Sequence, residues 1–194
     1  MPKPIGVLLA AGVGTRYDPA GRRLKLLQPS QKGLHAGLPI AAAAARNLRV
    51  AAERIVAVVR SIDQPHQPRL HELLTLEGCQ LVVCENASDG IGTSLACAVN
   101  ATQGAAGWIV ALADMPEIDP ATIKRVADAL YAGHTTAAPI YRGQRGHPVG
   151  FAALCQHELL SCSGDEGARA VLRKFAPHLI EVDDAGVLVD IDHR

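Results

Sequence analysis

The sequence has no surplus of charge of either sign. Its 194 residues include 19 Lys+Arg and 19 Asp+Glu, so the formal net charge at pH 7 is zero. A dedicated nucleic-acid-binding protein normally carries a basic surplus, and this balance therefore argues against nucleic acid as a partner. Apolar residues make up 48% and charged residues 20% of the chain, which is typical of globular rather than disordered proteins.

The sequence also lacks the segments that would anchor, export or divide the chain. No apolar run reaches the length needed to span a bilayer, and no cleavage site follows the first residues. We therefore expect a cytoplasmic protein with no membrane partner. There is no internal repeat or low-complexity linker, and the length suits one domain over residues 1–194.

Cysteines in a metal or disulfide pattern are missing as well. Their number is odd and no C-x-x-C spacing occurs, which predicts buried free thiols rather than disulfides or zinc ligands. The five cysteines are Cys79, Cys84, Cys97, Cys155 and Cys162. No nucleophile-base constellation stands out either, so acyl transfer is not supported.

Four apolar strand candidates alternate with helix candidates over the first two thirds of the chain. The strands are expected at 5–9, 54–59, 79–84 and 107–113, and the helices at 40–52, 65–77, from a Thr93 or Ser94 cap to 101, and from an Asp119 cap to 132. This alternation predicts an α/β fold with a parallel sheet that binds ligands beyond the carboxyl ends of its strands.

The pattern changes after Thr135. Strands are expected at 137–141, 149–151, 179–182 and 187–191, with helices at 154–160 and 164–175. We expect this last third to complete one wall of the pocket.

Small residues and two glycines, Gly12 and Gly14, follow the first strand. Backbone N–H groups in such a loop can approach a phosphate chain closely, because no Cβ stands in the way. Arg16 and Lys25 add full positive charges, as a triphosphate would require. The loop matches neither a Walker P-loop nor a complete G-x-G-x-x-G, so a plain tight turn is the alternative interpretation.

Asp114 follows the most hydrophobic strand candidate, with Met115-Pro116 opposing helical continuation. A carboxylate at this place suits Mg²⁺, which takes few protein ligands and leaves its other positions to water and phosphate oxygens. The alternative is a helix-capping or loop aspartate. Asp190 and Asp192 would share one face of the last strand, where one of them is a candidate second ligand and two exposed carboxylates are the alternative.

His147 lies between Gly146 and Pro148 in a turn-rich segment. It suits a general base, a group that hydrogen-bonds the substrate, or a simple turn residue. Its neighbours Arg142 and Arg145 favour an anion-facing role.

Several spaced motifs resemble, in the same order, those of MobA-like nucleotidyltransferases, and the similarity is closest to molybdenum cofactor cytidylyltransferases. The motifs are Leu9-Ala10-Ala11-Gly12, Arg16, Lys25-Leu26-Leu27, Asn86 to Leu95, Asp114-Met115-Pro116, Gly146-His147-Pro148, Gly164 to Arg169 and Asp190-Ile191-Asp192. The spacing between Arg16 and Lys25 is longer than the family usually has, because residues 17–21 intervene.

The resemblance implies a Rossmann-like three-layer sandwich of the nucleotide-diphospho-sugar transferase type, with a mostly parallel sheet. It further implies that CMP is transferred from CTP to molybdopterin or its molybdenum form, with Mg²⁺ and release of pyrophosphate. A molybdoenzyme or its chaperone is the implied protein partner.

The family's roles carry over onto matching positions. The resemblance implies that the catalytic residues are Lys25, Arg16 and Asp114, and that the metal ligands are Asp114 and Asp192. The implied nucleotide-binding residues are Leu9, Ala10, Ala11, Gly12, Gly14 and Asn86. The residues implied to face the acceptor are Ser94 and His147. Ala11 stands where the guanylyltransferase branch usually has glycine, which favours CTP over GTP.

Two other functions are held beside this one. The first is a nucleotidyltransferase of the same fold that uses another nucleotide, such as GTP, or another phosphorylated acceptor. The second is a non-catalytic nucleotide-binding module. Lys25 and Asp114 together argue against the module, because mere binding has no need of a metal carboxylate opposite the glycine loop.

Overall fold

The structure is a computed structural model that describes residues 3–12, 14, 17–52 and 54–191. The strands are β1 Ile5–Leu9, β2 Ile55–Val59, β3 Gln80–Val83, β4 Gly107–Leu112, β5 Thr136–Tyr141, β6 Gln144–Arg145, β7 Val149–Ala152 and β8 His178–Glu181. The α-helices are α1 Ile40–Leu48, α2 Gln67–Leu76, α3 Ile91–Ala101, α4 Pro120–Tyr131, α5 Gln156–Leu160 and α6 Arg169–Lys174. Short 3-10 helices cover Lys25–Leu27, Ala87–Asp89, Ala153–Cys155 and Ala185–Leu188.

All eight strands belong to one sheet. Its order is β3-β2-β1-β4-β7-β5-β6, and β8 pairs with β5. The first four strands are mutually parallel, as their alternation with helices predicts. Strand β7 then runs antiparallel to both β4 and β5, while β8 is parallel to β5. The α/β fold with a mostly parallel sheet is therefore confirmed.

Strand β2 shows why helices cover both faces of the sheet. All five of its residues are buried. Ile55, Ala57 and Val59 pack in one apolar cluster with residues of α1, α2 and α4. Val56 and Val58 point to the opposite face and pack with residues of α3, α5 and α6. Because side chains alternate along a strand, two apolar faces require two helical layers, which gives the expected three-layer sandwich.

The local sequence sets the start of one helix but not the end of another. The Asp119 carboxylate accepts a 2.7 Å hydrogen bond from the N–H of Ala121, so the predicted cap of α4 is confirmed. Helix α1 ends at Leu48 rather than at Ala52. The chain must reverse there to enter β2, and Ala52 packs with Leu48 against Gly6 of β1.

Two predictions for the last third are wrong. Residues 187–191 form no strand; Ala185–Leu188 is a 3-10 helix, because the Asp184 side chain accepts the N–H of Gly186 at 3.0 Å and closes a local turn. Asp190 is consequently exposed rather than placed on a strand face. The helix expected from Gly164 is limited to α6, since residues 163–165 pack as a loop against the start of α3.

All five cysteines are free thiols. Three are buried, as predicted, and burial raises the pKa of Cys79, Cys84 and Cys155 to about 11. Cys97 and Cys162 are only half-buried. Within the described residues no helix is both long and apolar enough to cross a membrane.

Candidate active site

The glycine loop leaves the carboxyl end of β1 between its two parallel neighbours. The N–H of Ala10 donates to the carbonyl of Val58 at 2.9 Å, which holds the start of the loop against β2. A Cβ added to Gly12 would meet no atom of the described residues within 4 Å, so this backbone is open on their side. Gly14 has a φ of +67°, a left-handed conformation that favours glycine. Arg16 lies outside the described residues.

Lys25 and Asp114 meet beside this loop. The Nζ of Lys25 lies 2.7 Å from Oδ2 of Asp114, although 89 positions separate them in sequence. Lys25 is only 7% exposed. The carbonyl of Asp114 also accepts the N–H of Ile191 at 3.0 Å, so the C-terminal segment returns to the same point. Two residues predicted to act together are thus in contact.

The segment 17–21 between the glycine loop and Lys25 folds on itself. The N–H groups of Tyr17 and Asp18 donate to the carbonyl of Gly14 at 2.9 and 3.1 Å. The buried Asp18 side chain accepts the N–H of Ala20 at 3.1 Å, and its carbonyl accepts the N–H of Gly21. These turns absorb the added length, and Lys25 still reaches Asp114.

Two adjoining cavities open at this edge of the sheet. The glycine-loop cavity has a volume of about 310 Å³ and is bordered by Ala11, Gly12, Arg60, Ser88, Ser94 and Asp114. The His147 cavity has a volume of about 280 Å³ and is bordered by Arg145, Gly146, His147, Glu166 and Arg169. Leu9, Ile91, Leu112 and Asp165 border both cavities, so the two form one continuous cleft.

Helix α3 begins differently from the prediction. Neither Thr93 nor Ser94 caps it; Gly90, with a φ of +113°, precedes the first helical residue. The N–H of Gly92 donates to the carbonyl of Gly164 at 2.8 Å. A Cβ on Gly92 would lie 2.6 Å from the carbonyl oxygen of Ser163, so only glycine allows this close approach. The loop at 163–165 therefore closes over the start of α3 and joins the cleft wall.

A backbone hydrogen bond fixes His147 at the border of the His147 cavity. Its backbone N–H donates to the carbonyl of Val187 at 2.9 Å. Its Nδ1 is buried and has no hydrogen-bond partner among the described residues. Burial lowers the pKa of His147, the charge of Arg145 lowers it further, and the carboxylate of Asp114 opposes both. Burial therefore favours a neutral imidazole at the border of the His147 cavity.

The structure does not bring every predicted residue to the cleft. Ser94, predicted to face the acceptor, lies in the cleft and borders the glycine-loop cavity. Asn86 is exposed and lies just before Ala87 and Ser88, which do border that cavity. Asp192 lies outside the described residues.

Two residues at the cleft were missed. Arg60 follows β2 at the same sheet edge, and its Nε donates to the carbonyl of Ala11 at 2.7 Å. The sequence could have identified Arg60, because every residue directly after a parallel strand lies at that edge of the sheet. Asp165 borders both cavities, but it comes there only because its loop packs against α3.

Residues 6–180 match the family described as the MobA-like NTP transferase domain. The chain belongs to this family. Among relatives, the purine catabolism protein PucB of Bacillus subtilis (strain 168) is 29% identical over 204 residues, covering 98% of this chain and 92% of PucB. Nicotine blue oxidoreductase of Paenarthrobacter nicotinovorans is 30% identical over 203 residues, covering 99% of this chain and 93% of the relative.

Solved structures confirm the fold type of this MobA-like domain. Rv0371c from Mycobacterium tuberculosis H37Rv superposes with a TM-score of 0.80 at 24% identity, covering 98% of this chain and 94% of that one. The complex of Rv0371c with manganese superposes with a TM-score of 0.70 at 23% identity, covering 93% of this chain and 87% of that one. CMP:2-keto-3-deoxy-manno-octonic acid synthetase complexed with CTP superposes with a TM-score of 0.71 at 11% identity, covering 98% of this chain and 93% of that one. The fold is thus that of nucleotidyltransferases of the nucleotide-diphospho-sugar transferase type.

Proposed function

We propose that this chain transfers CMP from CTP to a molybdopterin-type acceptor and releases pyrophosphate. The observation that carries the proposal is the contact of Lys25 Nζ with Asp114 Oδ2 at 2.7 Å, beside the open backbone of Gly12. A cation and an unobstructed glycine backbone at the carboxyl edge of a parallel sheet suit a bound triphosphate, and the carboxylate suits the metal ion that accompanies it. We propose residues 1–194 as one nucleotidyltransferase domain.

The reaction itself makes modest demands on the protein. An oxygen of the acceptor's terminal phosphate attacks the α-phosphorus of CTP, and the bond from that phosphorus to the β-phosphate oxygen breaks. The electron pair of that bond leaves on pyrophosphate. Lys25 would neutralise charge that develops on the phosphate oxygens, and the loop at Gly12 and Gly14 would position them, with Arg16 as a further proposed cation.

Asp114 fits the role of a metal ligand. Lys25 contacts Oδ2, while Oδ1 makes no hydrogen bond within the described part of the chain. Mg²⁺ is commonly held by one or two carboxylates together with phosphate oxygens, so one protein carboxylate at this point is sufficient. The metal would supply charge neutralisation at the triphosphate. The manganese complex of Rv0371c supports a divalent ion, and we propose Mg²⁺, with Asp192 as a second ligand.

The choice of CTP rests on Ala11, which is only 4% exposed and borders the glycine-loop cavity. A methyl group there narrows the space that a glycine would leave beside the base. The CTP complex of the similarly folded synthetase supports this choice. We propose that Leu9 and Ala10 shape the same wall and that Asn86 contributes through its loop.

The acceptor is assigned to the His147 cavity. Arg145 and Arg169 border it, and guanidinium groups suit a phosphorylated ligand. We propose that the imidazole of His147, which borders the same cavity, hydrogen-bonds that ligand. The molybdopterin identity rests on the family resemblance, as does delivery to a molybdoenzyme or its chaperone.

Thermal unfolding and pyrophosphate release test the proposal together. With Mg²⁺, CTP at about one hundred times its dissociation constant should stabilise the protein by roughly 2.7 kcal/mol, more than GTP, ATP or UTP at the same concentration. Pyrophosphate should then appear only when molybdopterin is added. Stabilisation by GTP instead would contradict the CTP assignment. CTP binding without a response to molybdopterin would favour another phosphorylated acceptor if CTP still exchanges with pyrophosphate, and a non-catalytic module if it does not.

A further inference from the structure

Arg60 occupies the position directly after β2 and borders the glycine-loop cavity. Strand β2 is parallel to β1, and Leu9 pairs with Val58. The two strands therefore deliver Arg60 and the glycine loop to the same edge of the sheet. The Arg60 side chain is half-buried. It borders both the glycine-loop cavity and a separate cavity that is lined by residues of the segment 18–24.

Three hydrogen bonds hold Arg60 in place. Its Nε donates to the carbonyl of Ala11 at 2.7 Å, and Nη1 donates to Oε1 of Gln64 at 3.4 Å. Its own carbonyl lies 2.8 Å from Nε2 of His71 on α2. The guanidinium is thus fixed against the glycine loop from the β2–α2 side.

The contact to Ala11 sets the direction of the next N–H group. The peptide between Ala11 and Gly12 is trans, since the cis bond described in this structure is His147-Pro148. In a planar trans peptide the carbonyl and the following N–H point in opposite directions. A carbonyl directed at Arg60 therefore sends the N–H of Gly12 away from Arg60, on a backbone that borders open space.

We infer that Arg60 is a positioning residue that orients the Gly12 N–H toward the phosphates of the bound nucleotide. Without the guanidinium, the Ala11–Gly12 peptide is free to rotate and to present a carbonyl oxygen to the phosphate chain. That would exchange an attractive partial charge for a repulsive one. The inference rests on the proposed function, because it requires a triphosphate at the glycine loop.

The test compares Arg60→Ala with Arg54→Ala in titration calorimetry with Mg²⁺. Arg54 precedes the other end of β2 and donates to Gln80 at 2.9 Å, so its removal changes the net charge equally but far from the loop. Arg60→Ala should bind both CTP and pyrophosphate about ten- to a hundredfold more weakly, because a charge-assisted hydrogen bond at the loop is lost. Binding of cytidine should stay unchanged.

Two further measurements separate positioning from loss of folding. Millimolar guanidinium chloride, but not sodium chloride at equal ionic strength, should restore pyrophosphate binding to Arg60→Ala. Arg60→Lys, which keeps the charge and one donor group, should bind pyrophosphate with an affinity between those of wild type and Arg60→Ala.

Pyrophosphate binding by Arg60→Ala equal to that of Arg54→Ala would overturn the inference. So would a loss confined to cytidine, since the guanidinium would then contact the base. A wild-type protein that binds neither CTP nor pyrophosphate would overturn the proposed function, and the inference with it.

Discussion

The two sides of the cleft use glycine for different purposes. On the β1 side, a Cβ on Gly12 would meet nothing within 4 Å among the residues that the structure describes. On the β7 side, a Cβ on Gly146 would collide with the carbonyl of Val187, and one on Gly186 with that of Glu117. The first glycine thus leaves room for a ligand, whereas the others let two chain segments touch. Gly90 and Gly92, near the glycine-loop cavity, also allow close packing, so the contrast is one between Gly12 and the pair Gly146 and Gly186.

Asp114→Asn should produce the largest effect, because Asp114 borders the glycine-loop cavity and contacts Lys25. Loss of the carboxylate charge should abolish Mg²⁺-dependent pyrophosphate release, while the free energy of unfolding changes little, since the side chain is partly exposed. Steady-state pyrophosphate assays and thermal unfolding check this. Asp128→Asn is the matched control, as Asp128 pairs with Lys124 on the surface of α4.

Lys25→Ala should lower kcat/KM by on the order of 10²- to 10³-fold, as removal of one preorganised donor does. If Lys25 acts through its contact with Asp114, the double variant should bind CTP in the presence of Mg²⁺ no more weakly than Asp114→Asn alone, as measured by titration calorimetry. Additive losses would mean that the two residues work independently.

The paired variants Gly12→Ala and Gly146→Ala test the comparison directly. Gly146→Ala should destabilise the protein by roughly 1–3 kcal/mol, because the added methyl group overpacks against the backbone of Val187. That corresponds to a fall in Tm of about 2–12 °C. Gly12→Ala should leave Tm nearly unchanged and weaken CTP binding. Equal shifts in Tm would remove the distinction between the two sides.

His147→Asn should give the smallest effect, visible in the pH dependence of stability. The pKa of His147 is lowered by burial, so below about pH 6.5 the unfolded chain binds more protons than the folded one. Stability therefore falls as pH decreases from 7 to 5. The variant should lose less stability than wild type over this range, as measured by Tm; the control His157→Asn, at an exposed position, should behave like wild type.

The first side of the cleft was predictable because it is built from local units. A strand, its terminal loop and the following helix are neighbours in sequence, and parallel pairing brings their ends to one edge. That logic located Gly12, Lys25 and Asp114, and it would have located Arg60. The second side was predicted less well. Residues 187–191 have the composition of a strand, but the Asp184 turn and the contact of Gly186 with Glu117 override that preference.

The sequence by itself determined the α/β alternation, the sheet edge that carries the candidate site and the residue types of the proposed phosphate and metal site. These features follow from residue periodicity and from the succession of strands, loops and helices along the chain, which depend on near neighbours in sequence. Only the tertiary structure decided that Lys25 contacts Asp114 despite the longer loop, that Ser94 lies inside α3, and that Asp165 closes the cleft. Each of these depends on the packing of segments far apart in sequence, where an excluded Cβ or one hydrogen bond selects the arrangement.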